Sequence, residues 1–137
     1  MPTTHEKTSL LDFGSGMLCG MVLNGVYTLS EQRLSAVHEG FKRAFDFVEA
    51  ELDERMMFYL IIGYHGTSPI VDNVFNWWLQ SGYAYKEAPG YVYHFKIGTL
   101  TAVTTLESIP GGKELYQKAA KVLTDFLGSE ESFAYRD

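Results

Sequence analysis

The chain has 137 residues, 46% hydrophobic and 15% aromatic, with a formal charge of −6, enough apolar material to bury one core without metal or disulfide support. That acidic balance argues against a sequence-independent grip on nucleic-acid phosphates and against anionic membrane surfaces. A single cysteine, Cys19, excludes an intramolecular disulfide and a cysteine-rich zinc site.

No apolar run approaches the ~18–20 residues needed to span a bilayer, and the first residues lack the apolar stretch of a signal peptide. A cytoplasmic, reducing setting is the expectation. Residues 1–9 read as a loose polar tail. Met17 to Leu23 is apolar and meets Asn24-Gly25, a dipeptide suited to a two-residue turn, with Val26 to Leu29 beyond it. A β-hairpin is predicted, Cys19 lies in its first strand as a small buried hydrophobe, and Gly14, Gly16 and Gly20 mark a bulge or a close backbone approach.

Leu34, Val37, Phe41, Phe45, Val48 and Leu52 recur at three- and four-residue steps, which predicts a helix with one apolar stripe. Thr28 with Glu31, or Ser30 alone, is available to cap it. Glu39–Arg43 and Lys42–Asp46 have i,i+4 spacing on its exposed face. Its acidic end, Glu49, Glu51, Asp53 and Glu54, opposes the helix dipole and is either a solvated face or a patch for a basic partner. His38 falls off the stripe and reads as solvent-facing.

Met56 to Ile62 has no polar residue and predicts a central strand covered on both faces. A second helix starts at Pro69 with Ser68 as cap and ends at Ser81-Gly82. Its apolar residues, including Trp77 and Trp78, wrap too far round for one buried face, so the helix is sandwiched or one tryptophan is free for contact.

Tyr83 to Lys86, a Pro89-Gly90 turn and Tyr91 to Ile97 follow. The last run alternates, with Tyr91, Tyr93, Phe95 and Ile97 on one face and Val92, His94 and Lys96 on the other. Leu100 to Leu106 reads as a Thr-rich strand. A third helix is stacked on Leu115, Ala119, Val122 and Phe126, carries a Glu114–Lys118 pair and stops at Gly128, and residues 129–137 form a second loose tail. The order β-β-α-β-α-β-β-β-α predicts a single α+β domain over 1–137: a mainly antiparallel sheet with three helices packed on it.

Chemistry-bearing motifs are few. The four histidines have no metal-site spacing, and no phosphate-binding or nucleophile-elbow pattern is present. No metal or resident cofactor is expected. The one stretch where reactive side chains meet a strand-to-helix junction is Tyr64-His65-Gly66-Thr67-Ser68-Pro69. There Gly66, Thr67 and Ser68 would offer amides and hydroxyls at a helix start, suited to a phosphate, carboxylate or amide. Alternatively, Thr67 and Ser68 make the turn and cap while His65 satisfies a backbone carbonyl.

Tyr64 to Ser68 resembles the first motif of the ADP-ribosyltransferase superfamily, in which a strand ends in His-Gly-Thr before a helix. Gly82-Tyr83 and Gly90 to Tyr93 are loosely similar to two later pieces of that family, and the likeness covers only about 64–107. It implies that His65 and Gly66 hold the nicotinamide ribose and amide of NAD. Tyr93 or Tyr91 would stack on the nicotinamide, and Glu107 is the candidate catalytic glutamate.

Three functions follow. The first is a small acidic binding protein, inhibitor- or immunity-like, or self-associating. Trp77 and Trp78 with Glu51, Asp53 and Glu54 are its candidate interface. The second is the NAD-binding domain that the resemblance implies. The third is a small-molecule sensor whose pocket is lined by Tyr83, Tyr85, Tyr91 and Tyr93.

Overall fold

A computed structural model describes residues 7–53, 56–87 and 90–134, with side chains through 129. Among them are five helices and one three-stranded antiparallel sheet. The expected mainly-sheet architecture with three helices is therefore overturned. Three of the predicted strands account for the change.

The first, Met17 to Leu23, is helix α1, Leu10–Leu23, while the second forms in part as the short strand β1, Thr28–Ser30; Met56 to Ile62 and Leu100 to Leu106 are the other two that do not form. Ser9 caps α1 by accepting from the Asp12 N–H at 3.1 Å. Asn24-Gly25 ends it: Asn24 donates to carbonyls of the last turn, and Gly25 takes φ +82. This dipeptide thus closes a helix where a hairpin turn was expected. Phe13 to Val22 are all buried, so α1 is surrounded by protein and shows no polar face for periodicity to detect.

Helix α2, Leu34–Glu51, forms as its stripe predicts, with Val37, Phe41, Phe45 and Val48 buried. Lys42–Asp46 and Glu39–Arg43 pair at 2.8 and 3.5 Å. No side chain caps its start; Ser30 Oγ accepts from Gln32 instead. Helix α3, Pro69–Ser81, begins on the predicted Ser68 cap with Pro69 in the first turn, and Gly82 ends it at φ +80.

Strands β2, Ala84–Glu87, and β3, Val92–Phe95, pair antiparallel, and β1 joins the other edge of β3. The sheet order is β1-β3-β2. Tyr93 and Phe95 face the core while Val92 and His94 are half-buried, as the alternation predicts. Pro89 lies outside the described residues.

The Thr-rich run is helix α4, Thr99–Glu107, not a strand. Ala102 and Leu106, four apart, bury one face, and the Thr104 hydroxyl donates back to the Leu100 carbonyl at 3.0 Å. Tertiary packing overrides the β-branched composition. Helix α5, Gly112–Ala134, continues past Gly128. Leu115, Ala119, Tyr116, Ala120 and Leu123 form its buried stripe, whereas Val122 and Phe126 are half-buried.

Helix α1 is the centre, packed against α3, α4 and α5, with α2 lying along α5. Close approach of α1 and α5 requires glycine. A Cβ on Gly16 would fall 2.5 Å from the Tyr116 ring, and one on Gly20 would fall 2.2 Å from the Tyr116 carbonyl oxygen. The sheet covers α3: Tyr93 stacks on Phe75 with centroids 4.8 Å apart, and Trp78 meets Phe95 edge-on at 5.5 Å.

Candidate functional site

Met56 to Ile62 is neither central nor a strand of the sheet. Among the described residues its only ladder contact is a parallel bridge from Met56 to Thr8, with the Met57 N–H donating to the Thr8 carbonyl at 2.9 Å. Burial alternates along it. Met56, Phe58, Leu60 and Ile62 turn inward, where Phe58 packs on Phe13 and Phe45. Met57, Tyr59 and Ile61 turn outward and are 66%, 76% and 70% exposed, and Tyr64 beyond them is 98% exposed. The sequence hid this alternation because the outward residues are as apolar as the inward ones. Among the described residues, no backbone hydrogen bond joins Phe58 to Ile62 to another group.

A tight turn carries the chain from this segment to α3. The Gly63 N–H donates to the Thr67 carbonyl at 2.8 Å and the Gly66 N–H to the Gly63 carbonyl at 3.0 Å. Gly66 sits at φ +79, and a Cβ there would come 3.0 Å from that of Ser35. The Tyr64 and His65 rings meet edge to face at 5.2 Å, both side chains in solvent. Thr67 is half-buried. Ser68 is buried and caps α3, its Oγ accepting from the Ile70 N–H at 3.2 Å.

The histidine with a structural task here is His38, which sequence reasoning placed in solvent. It is fully buried on α2, and its Nδ1 accepts from the Ser68 N–H at 2.8 Å. Its Nε2 has no hydrogen-bond partner and lies 3.6 Å from an Asp72 carboxylate oxygen. Burial pushes the imidazole below its usual range, opposed by the carboxylates of Asp72 and Glu31. The signal available in sequence was weak: His38 is next to Val37 on the stripe and one turn from Phe41.

The residues implied by the ADP-ribosyltransferase resemblance do not converge. A hollow of about 370 Å³ beside the turn is lined by Gly66, Ile62, Ser35, Glu39 and Phe126 among others. Neither His65, Tyr91, Tyr93 nor Glu107 lines it. Tyr93 is in the core, stacked on Phe75, and so is closed to a nicotinamide ring. Tyr91 is exposed next to β3. Glu107 ends α4 and borders a separate hollow with Gly111 and Lys113.

The four tyrosines of the sensor reading are dispersed too. Tyr83 meets Trp77 edge-on, Tyr85 stacks on its cross-strand neighbour His94 at 5.0 Å, and Tyr93 points inward. Among the described residues, no three His, Cys, Asp or Glu side chains group as metal ligands.

The expected tryptophan interface is corrected as well. Trp78 is fully buried, and its Nε1–H donates to the Gly14 carbonyl at 2.8 Å. Trp77 is half-buried, its Nε1–H donating to Ser15 Oγ at 2.9 Å. Together they explain how α3 carries apolar groups on several sides: it is clamped between α1 and the sheet. Glu51 and Asp53 are exposed at the end of α2, where Asp53 takes the left-handed conformation at φ 55. Glu54 lies outside the described residues.

A cavity of about 560 Å³ lies between β1, the start of α2 and α5 and is lined by Val26, Leu29, Arg33, Val37 and Leu127 among others. Among the described residues, no helix is long and apolar enough to cross a membrane. Comparison with protein-family models, curated proteins and solved structures finds no match.

Proposed function

We propose that this chain is a binding protein that engages another protein through the outward row Met57, Tyr59, Ile61 and Tyr64. The observation that carries the reading is that row: Met57, Tyr59 and Ile61 are large, exposed apolar side chains alternating with inward ones, and Tyr64 stands exposed in the turn beyond them, while the backbone is unpaired over Phe58 to Ile62 among the described residues. The largest apolar patch on a monomer, typically about 300–600 Å², is often a contact surface. The unpaired backbone from Phe58 to Ile62 adds amides and carbonyls that a second chain would satisfy.

The row is also well held. Its inward neighbours are seated among Phe13 and Phe45, and the turn after it is tied to α2 through Ser68 and His38. Rigid presentation lowers the ordering cost of association.

The test is a photo-crosslinking amino acid placed at position 59 in living cells. Covalent adducts at position 59, absent when the same group replaces the exposed Leu100 on α4, are the expected result. No adduct at 59, or the same adducts at both sites, refutes the reading.

A further inference from the structure

We infer that the occupant of the Met57–Tyr64 row is a second copy of this chain, packed antiparallel about a two-fold axis near Tyr59. This rests on the preceding reading of the row as a contact surface. In that arrangement Tyr59 meets its own counterpart, and Met57 of one copy lies against Ile61 of the other. Such a contact is isologous, so one patch serves both partners and the assembly closes at two.

Charge favours a like partner. Residues 56 to 64 contain no Asp, Glu, Lys or Arg, although the chain as a whole carries −6. Two acidic copies meeting elsewhere would bring like charges together, whereas this neutral row brings none. A different partner would have to be selected by charge or by a pocket, and the row provides neither. An uncharged apolar row is complementary to itself.

The area is adequate. Covered completely, the exposed fractions of Met57, Tyr59, Ile61 and Tyr64 would bury roughly 600 Å² per copy, or about 1,200 Å² in a pair, at the lower bound of specific interfaces, with about a third of it supplied by Tyr64 in the turn beyond the paired residues. A dimer that forms reversibly in the micromolar range is the corresponding expectation.

Sedimentation velocity of the full chain over a concentration series tests this. Wild type is expected to pass from the 15.5 kDa monomer to twice that mass. Tyr59→Asp and Ile61→Asp should each weaken the dimer at least about tenfold. Both sites are solvent-exposed, so unchanged far-UV circular dichroism shows that the fold is retained. Leu100→Asp, at an exposed apolar site on another element, should leave the dimer intact.

A wild type that stays monomeric up to about 200 μM overturns the inference, and so does a dimer indifferent to both row substitutions. If wild type is monomeric while position 59 still crosslinks to a different protein, the self-pairing fails and the contact surface stands. If wild type is monomeric and position 59 gives no adduct, both fail.

Discussion

His38 and Ser68, thirty positions apart, are joined by a 2.8 Å hydrogen bond in which the Ser68 N–H donates to Nδ1 of the buried imidazole. The bond fixes the protonation state: Nδ1 must be bare, so a neutral ring carries its proton on Nε2. That proton faces Asp72 of α3 at 3.6 Å. The other charged group acting on the ring is Glu31, ahead of α2, and the Phe75 ring meets the imidazole edge-on at 6.2 Å. Through Ser68, α2 holds the turn that presents Tyr64 and fixes where α3 begins.

Acidification should therefore loosen this tie. The folded imidazole titrates below its ordinary value of 6.5, so its contribution to stability is complete above that value and is lost as pH falls towards and through the lower folded value. His38→Gln retains an acceptor but does not titrate in this range. Urea midpoints measured between about pH 7 and pH 5 should fall more steeply for wild type than for His38→Gln. Parallel curves would show that the ring does not govern the acid response.

Gly20→Ala sets helix propensity against packing. Alanine in place of glycine inside a helix adds about 1 kcal/mol of stability where there is room. At Gly20 the new methyl would fall 2.2 Å from a backbone oxygen of α5, which cannot move aside as a side-chain tip would. A net loss of about 2–3 kcal/mol is expected, overpacking outweighing propensity. Denaturant unfolding measures the sign directly, and a more stable Gly20→Ala protein would refute the α1–α5 contact.

Cys19 should be chemically silent. Burial pushes its thiol up to about 11, with the Thr105 side chain acting in the opposite direction. The protonated thiol favours the fold below the unfolded value of 9.0, and that contribution is lost as pH rises through about 11. At neutral pH, labelling by a disulfide reagent should be at least about 100-fold slower in buffer than in denaturant. Equal rates would place Cys19 at the surface.

What the sequence made legible was local chemistry with a directional signature. The α2 stripe, the Ser68–Pro69 start and Gly82 end of α3, and the inward facing of Tyr93 and Phe95 could all be read from spacing and caps. Elements whose character depends on distant neighbours could not. Helix α1 has no polar face because protein encloses it, and its glycines are poor helix formers used for contact with Tyr116. Helix α4 holds four threonines, which favour strands until Ala102 and Leu106 find a core.

The candidate site was legible in position and misread in chemistry. The stretch 56–69 drew attention through His65 and Gly66. Gly66 serves the left-handed turn, His65 stands in solvent, and the histidine that matters locally is His38. A uniformly apolar run gave no means of separating Leu60 in the core from Tyr59 at the surface. That separation arises from which edge the folded body leaves uncovered.

Enclosure of α1 also sets a timetable for biosynthesis. Asn24 at its end exchanges hydrogen bonds with Gln117 of α5 across 93 positions of chain. At about 5–20 residues per second, α1 leaves the ribosome roughly 5–20 s before the helix that covers it. Its length and glycine content make it marginal alone, so the nascent chain carries a bare apolar segment through that interval. Burial of α1 therefore waits on the synthesis of α5, whose Gln117 closes the bond to Asn24.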